Sequence, residues 1–228
     1  MSIIKHTVII SASPKLSGDS TSGFLANYAE DALRGDGIDV RIINVRESLT
    51  KNQTAKAFED MAGADALVII FPLYIFCLPA ILMRFLQQYR EYVASLPDNT
   101  KNTVVYAVVN CGFSEPEINR EAVRVIGSFS EKIGAEFRFG VMIGCGGMIS
   151  VAKESPMVRK MLKDVGAALE RMKREIVSGS RGSADNVLTR VCVPRRYYYF
   201  MGNMSWRMLA WKNGLKRKNL YVQPYMAE

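Results

Sequence analysis

The feature that most constrains this chain is the regular alternation, through its first 178 residues, of short β-rich runs with longer amphipathic stretches. Parallel strands cannot be joined by tight turns and need a crossover, usually a helix, so this alternation is the mark of repeated βαβ units. Strands are expected at residues 7–11, 39–44, 66–71, 103–110 and 137–143. Three of them, VIIS, ALVIIF and TVVYAVVN, are almost continuously apolar. That pattern belongs to central strands covered by helices on both faces. DVRIIN alternates instead, which suits a strand near the edge of the sheet, where one face is partly wet.

The segments between the strands carry helical periodicity. Val158, Met161, Leu162, Val165, Leu169, Met172 and Ile176 recur at three- and four-residue intervals. Similar stripes run through Phe24, Leu25, Tyr28 and Ala32, with Gly35 and Gly37 closing that helix, and through Ile81, Leu82, Phe85, Leu86, Tyr89 and Val93. These positions are expected in the core. Right-handed crossovers then leave an α/β fold with a doubly wound, five-stranded parallel sheet, in the order 2-1-3-4-5.

After Ser178 the character changes. SGSRGS reads as a linker, so residues 1–178 form the expected domain and residues 179–228 a C-terminal helical extension. The extension holds nine Lys or Arg against two acids, and so carries most of the chain's net charge of +8. Such a tract can approach nucleic acid, anionic lipid or a phosphorylated ligand, or remain a solvated surface. Three consecutive tyrosines, two tryptophans and several Met and Leu residues give it too much apolar surface to stay in water, so it is expected to dock on the domain or on a partner subunit. No apolar run reaches the ~18–20 residues that span a bilayer, and the run after His6 is too short for a secretion signal. A cytoplasmic protein is therefore expected. The four cysteines form no C-x-x-C pair and read as free thiols without a metal.

In open α/β sheets, ligands bind beyond the carboxyl ends of the strands where strand order reverses. The first such loop, SASPKLSGDSTSG at residues 11–23, offers six hydroxyls and Lys15 at the entrance to a helix. Helix capping needs one or two such residues, and the remainder suits a phosphate monoester held by the helix N-terminus. Neither a Walker loop nor a G-x-G-x-x-G follows strand one, which leaves nucleotide-triphosphatase and dinucleotide-Rossmann readings unsupported. The loop after strand three, FPLYIFCLP, is apolar and bracketed by Pro72 and Pro79, so it can present a rigid wall to a flat ring. The loop after strand four, NCGFSEP, adds a glycine for close approach and a phenylalanine that can stack.

ASPKLSGDST, PLYIFCLPA and NCGF, in that order on those strand ends, resemble the NAD(P)H-dependent FMN reductases and related quinone reductases of the flavodoxin-like superfamily. The resemblance covers roughly residues 5–178. It implies that Ser11, Ser13, Lys15, Ser17, Ser20 and Thr21 surround the FMN phosphate. It implies further that Pro72, Leu73, Tyr74, Ile75 and Phe76 flank the isoalloxazine and that Asn110, Cys111, Gly112 and Phe113 lie at its pyrimidine edge. Ala12, Lys15 and Cys77 depart from the family pattern, which usually has Gly, Arg and a small hydroxyl residue there. No protein residue is expected to be catalytic: the lone histidine, His6, precedes the first strand, and hydride chemistry belongs to the flavin N5. The expected function is hydride uptake from NAD(P)H and transfer to a small acceptor such as a quinone or free flavin, in a homodimer or higher homo-oligomer without a nucleic-acid partner. The alternative is a flavodoxin-type electron carrier acting on a protein; flavodoxins are typically acidic, unlike this chain.

Overall fold

The computed structural model describes residues 4–13, 20–96, 102–152 and 154–222. The chain divides into two compact units, Met1–Val191 and Cys192–Glu228. In the first, the strands are β1 (Lys5–Ser11), β2 (Ile38–Asn44), β3 (Ala66–Pro72), β4 (Val104–Asn110), β5 (Glu136–Ile143) and β6 (Val187–Thr189). The helices are α1 (Thr21–Leu33), α2 (Val45–Thr50), α3 (Thr54–Ala62), α4 (Ala80–Ala94), α5 (Arg120–Lys132), α6 (Gly147–Ala152) and α7 (Pro156–Ser178).

All strand pairings are parallel, in the order β2-β1-β3-β4-β5-β6. Five strands fall where the sequence places them, to within one or two residues at each end. The sixth, which the five-strand expectation omits, lies beyond the Gly/Ser-rich stretch. Its three residues carry no periodicity of their own and are recruited by neighbours: Asn186 Oδ1 accepts from Gly140 N at 2.6 Å, and Gly144 N donates to the Thr189 carbonyl at 2.8 Å.

β1, β3, β4 and most of β5 are buried on both faces, which explains their unbroken apolar runs. On one face Ile10, Leu67, Ile69, Phe71, Val105 and Val109 pack with Phe58, Leu82, Phe85 and Ile126 from α3, α4 and α5. On the other, α1 packs with α7, and the closeness of the two helices depends on Gly166: a Cβ there would come 2.6 Å from the Tyr28 hydroxyl, which donates to the Leu162 carbonyl at 3.1 Å. The α4 stripe is buried as its spacing predicts, except that Ile81 is only partly covered. The α1 stripe is rotated. Leu25, Ala26, Ala29 and Leu33 are buried, while Phe24 and Tyr28, only half-buried, stack on each other at 6.1 Å.

Gly35 and Gly37 follow α1 with φ of 95° and 80°, conformations that side-chain-bearing residues avoid, and so turn the chain into β2. β5 and α7 are also joined by a buried ion pair. Arg138, with its side chain 6% exposed, donates to Glu175 Oε2 through Nε at 3.1 Å and Nη2 at 3.0 Å. The Tyr106 hydroxyl donates to the same oxygen, and its pKa is raised, first by burial and then by the Glu175 charge. Removing one member strands a buried charge, so Glu175→Ala is expected to destabilise the protein by roughly 3–5 kcal/mol, measured by urea unfolding, whereas Arg124→Ala on the exposed face of α5 should change stability by less than about 0.5 kcal/mol.

Candidate functional site at the carboxyl edge of the sheet

Parallel pairing brings the ends of β1, β3, β4 and β5 to one edge. Ser11 stands opposite Ile70, Pro72 opposite Asn110, and Asn110 opposite Ile143. The ladder then runs on past the strands: Ala12 N donates to Ile70 O at 2.9 Å, Leu73 N to Asn110 O at 2.8 Å, and Cys111 N to Ile143 O at 3.0 Å. The strand ends from which the three expected loops leave therefore share one edge, although residues 14–19 of the first loop lie outside the described residues. His6 lies at the opposite, amino end of β1, exposed and 3.4 Å from Asp39, away from this edge.

Asn110 ties the loops together. Its side chain is buried, and Nδ2 donates to Ser22 Oγ at 3.1 Å and to the Phe71 carbonyl at 3.4 Å, joining β4 to the first turn of α1 and to the end of β3. Thr21 Oγ1 donates to the Gly146 carbonyl at 3.3 Å, which joins α1 to the loop after β5. Ser20 is the N-cap of α1, and its Oγ accepts from Gly23 N at 3.0 Å. The capping role of this serine is thus realised, and the amides of Thr21 and Ser22, in the first turn, have no acceptor within the helix, the arrangement that receives an anion. Ser11 is buried in the ladder, Ser13 is half-buried, and Lys15 and Ser17 lie outside the described residues.

The loop after β3 is a two-residue hairpin turn. Tyr74 and Cys77 exchange backbone hydrogen bonds at 2.9 Å each, with Ile75 and Phe76 between them at φ of 46° and 59°. Turns of this kind favour Asn and Gly, because φ is positive at both central positions. A β-branched residue there is strained, and Ile75 is 94% exposed, so no burial offsets the strain. Phe76 stacks on Phe113 from the loop after β4, with ring centroids 5.8 Å apart and planes 19° from parallel. Tyr74, Ile75, Phe76 and Phe113 are all exposed, which makes a contiguous apolar edge above the strand ends. Pro72 and Leu73 are half-buried at its base.

Cys111 is placed differently from an edge residue. Its amide is in the ladder, its carbonyl accepts from Gly146 N at 2.8 Å, and its thiol is buried against the Phe113 carbonyl and Asn119 Nδ2. Gly112 next to it faces open space, where an added Cβ would meet no atom within 4 Å. Gly144 and Gly146, in the loop after β5, have a packing reason. A Cβ on Gly144 would lie 2.7 Å from the Ser114 carbonyl, and one on Gly146 2.9 Å from Asn110 Oδ1. Ser22 is one of the six hydroxyls of the first loop but not one of the expected phosphate residues, and the sequence does not single out Ser114, Gly144 and Gly146 as site residues, because their roles are long-range contacts that no local pattern announces. Among the described residues no cluster could hold a metal ion.

Residues 5–100 match the family model described as the flavodoxin-like fold. No curated protein sequence matches. Among solved structures the chain is similar to an NADH:FMN oxidoreductase in its apo form, at 20% identity and a TM-score of 0.54, covering 77% of this chain and 89% of that one. It is also similar to an oxidoreductase from Corynebacterium diphtheriae, at 16% identity and a TM-score of 0.59, over 78% and 100% of the two chains. A third likeness is to an FMN-dependent NADH-azoreductase from Bacillus anthracis in complex with FMN, at 12% identity and a TM-score of 0.51, over 75% and 100%. These likenesses establish a flavodoxin-like fold.

Ile75→Asn removes the strain of a β-branched turn residue and is expected to stabilise the protein by about 1 kcal/mol in urea unfolding. Burial raises the thiol pKa of Cys111 and of Cys145 above the ordinary value. The unfolded chain therefore loses these protons first as pH rises, and stability should decline above about pH 8.5. At pH 8, iodoacetamide should modify the exposed Cys192 long before either buried thiol, as read by peptide mass mapping.

Proposed function

We propose, from a flavodoxin-like fold whose carboxyl edge gathers a helix N-terminus and two aromatic loops, that this chain binds FMN there. In the same proposal it is an oxidoreductase that takes a hydride from NAD(P)H and passes electrons to a small acceptor, such as a quinone or free flavin. The observation that carries the reading is the joining of Thr21 and Ser22 to Asn110 and Gly146 beside the exposed Tyr74–Phe76 turn and Phe113. One end of this edge offers amides and hydroxyls to a phosphate, and the other offers an apolar surface to a flat ring.

The residues present fit the group on three counts. First-turn amides of α1 match a phosphate monoester, with Ser11, Ser13, Ser20 and Thr21 as the described members of the phosphate set and Lys15 and Ser17 completing it in this proposal. Tyr74, Ile75 and Phe76, carried on Pro72 and Leu73, form a ledge for the ring. Gly112 leaves room for close approach, with Phe113 beside it and Asn110 and Cys111 bracing the loop from below. FMN, when bound, would supply the hydride acceptor, so no side chain need act as acid or base. The protein's work is to hold the ring with one face open, to shed water from it with the apolar edge, and to keep that edge rigid through the Asn110 contacts. The NADH:FMN oxidoreductase, quinone oxidoreductase and FMN-dependent azoreductase of the same fold support the reaction type.

Added FMN should bind with quenching of its fluorescence, and NADH or NADPH should bleach the bound flavin under anaerobic conditions. A protein that leaves FMN fluorescence unchanged and oxidises neither nucleotide overturns the proposal. Phe113→Ala should weaken FMN binding by about tenfold through loss of an aromatic contact, with unfolding by urea little changed. A one-electron-reduced flavin that accumulates during stepwise anaerobic titration with dithionite would favour the carrier alternative.

A further inference from the structure

The second compact unit holds α8 (Arg195–Lys212) followed by a short 3-10 turn, Arg217–Tyr221. Between residues 192 and 222 it has seven basic residues, Arg195, Arg196, Arg207, Lys212, Lys216, Arg217 and Lys218, and no Asp or Glu. At about 100° per residue, Tyr197, Phe200, Met201, Met204, Met208 and Trp211 fall within an arc of about 100° on α8. All six are exposed, from 46% for Met201 to 78% for Trp211. Arg196 and Arg207 border this arc on one side and Lys212 on the other. The rest of the helix mixes Gly202, Asn203 and Ser205 with the exposed Tyr199, Trp206 and Leu209.

We propose that α8 and the basic turn after it form a peripheral anchor that lies on an anionic lipid surface. An apolar stripe of aromatic and Met residues edged by cations matches a helix lying in the interfacial plane, with its stripe among the acyl chains and its Arg and Lys reaching the headgroups. The length agrees: 18 residues make about 27 Å, laid flat. Spanning is not the mode, since among the described residues no helix is long and apolar enough to cross a membrane. Charge decides the partner. A second copy of the chain offers no net opposite charge, because residues 1–191 carry a net charge of +2 and the tail itself +6. A nucleic acid would satisfy the cations but leave the Phe and Met stripe in water. An anionic bilayer satisfies both, each Lys or Arg adding to its attraction. This inference is independent of the flavin reading.

The chain's two tryptophans, Trp206 and Trp211, both lie on α8, so tryptophan emission, excited selectively, reports on this helix alone. The full-length protein should sediment with phosphatidylglycerol-containing vesicles and shift its emission to the blue, and should do neither with pure phosphatidylcholine or at high salt. In Trp206→Phe, the remaining Trp211 should be quenched strongly by brominated lipid. In Trp211→Phe, the remaining Trp206, on the other side of the helix, should be quenched far less. Replacing Arg196, Arg207 and Lys212 by Glu should lower vesicle partitioning at least about tenfold, with helicity checked by circular dichroism and the salt series on the native chain as a variant-free control. Equal binding to neutral vesicles, equal quenching of the two tryptophans, a lipid-free blue shift that grows with protein concentration, or binding to duplex DNA without vesicle binding would each overturn the proposal.

Discussion

Two hydrogen bonds from a single buried amide organise the carboxyl edge of this protein. Asn110 ends β4, and its Nδ2 reaches Ser22 at the start of α1 and the carbonyl of Phe71 at the end of β3. Parallel pairing alone would bring these strand ends to one side of the sheet without fixing how the loops above them lean. A buried amide that must be satisfied fixes it, since an unpaired donor or acceptor there costs about 1–3 kcal/mol. Gly146 approaches the same asparagine so closely that it has no room for a side chain, and its carbonyl receives Thr21. Helix start, sheet edge and the loop after β5 thus share one polar junction.

Above that junction the chemistry is reversed. The Tyr74–Cys77 turn holds Ile75 in a conformation that residues of its type avoid, and exposes it with Phe76 and Phe113. A chain selected for stability alone would place Asn-Gly in such a turn and keep the aromatics inside. Strain and exposed apolar surface at one spot are what a ligand ledge requires: a rigid backbone that presents carbon to a flat ring.

The sheet was legible because its central strands are buried on both faces, which forces unbroken apolar runs such as ALVIIF and VVYAVVN and leaves their ends sharply marked by Pro72 and Asn110. β6 was not legible. VLT is too short to carry a period and owes its place to Asn186, Gly144 and the edge of β5. The residue types at the site could be read from the loops, since hydroxyls before a helix and aromatics after a strand are local signals. How those residues connect could not. Cys111 looks like an edge residue in NCGF, yet its thiol is turned beneath the loop, and Gly144 and Gly146 serve close packing against Ser114 and Asn110 that no local pattern announces. The rotation of α1 has the same origin: small alanines face the sheet and the larger Phe24 and Tyr28 lie to the side, which a hydrophobicity count does not distinguish.

The central claim is that three strand-end loops, held by Asn110, act as one cradle for a phosphorylated flat ring. Amide hydrogen exchange with and without FMN, resolved to short peptides, tests it most directly. The account predicts simultaneous protection of residues 20–24, 73–77 and 112–114, with β2 and α3 unchanged. Protection at only one of these segments, or at none, would contradict it.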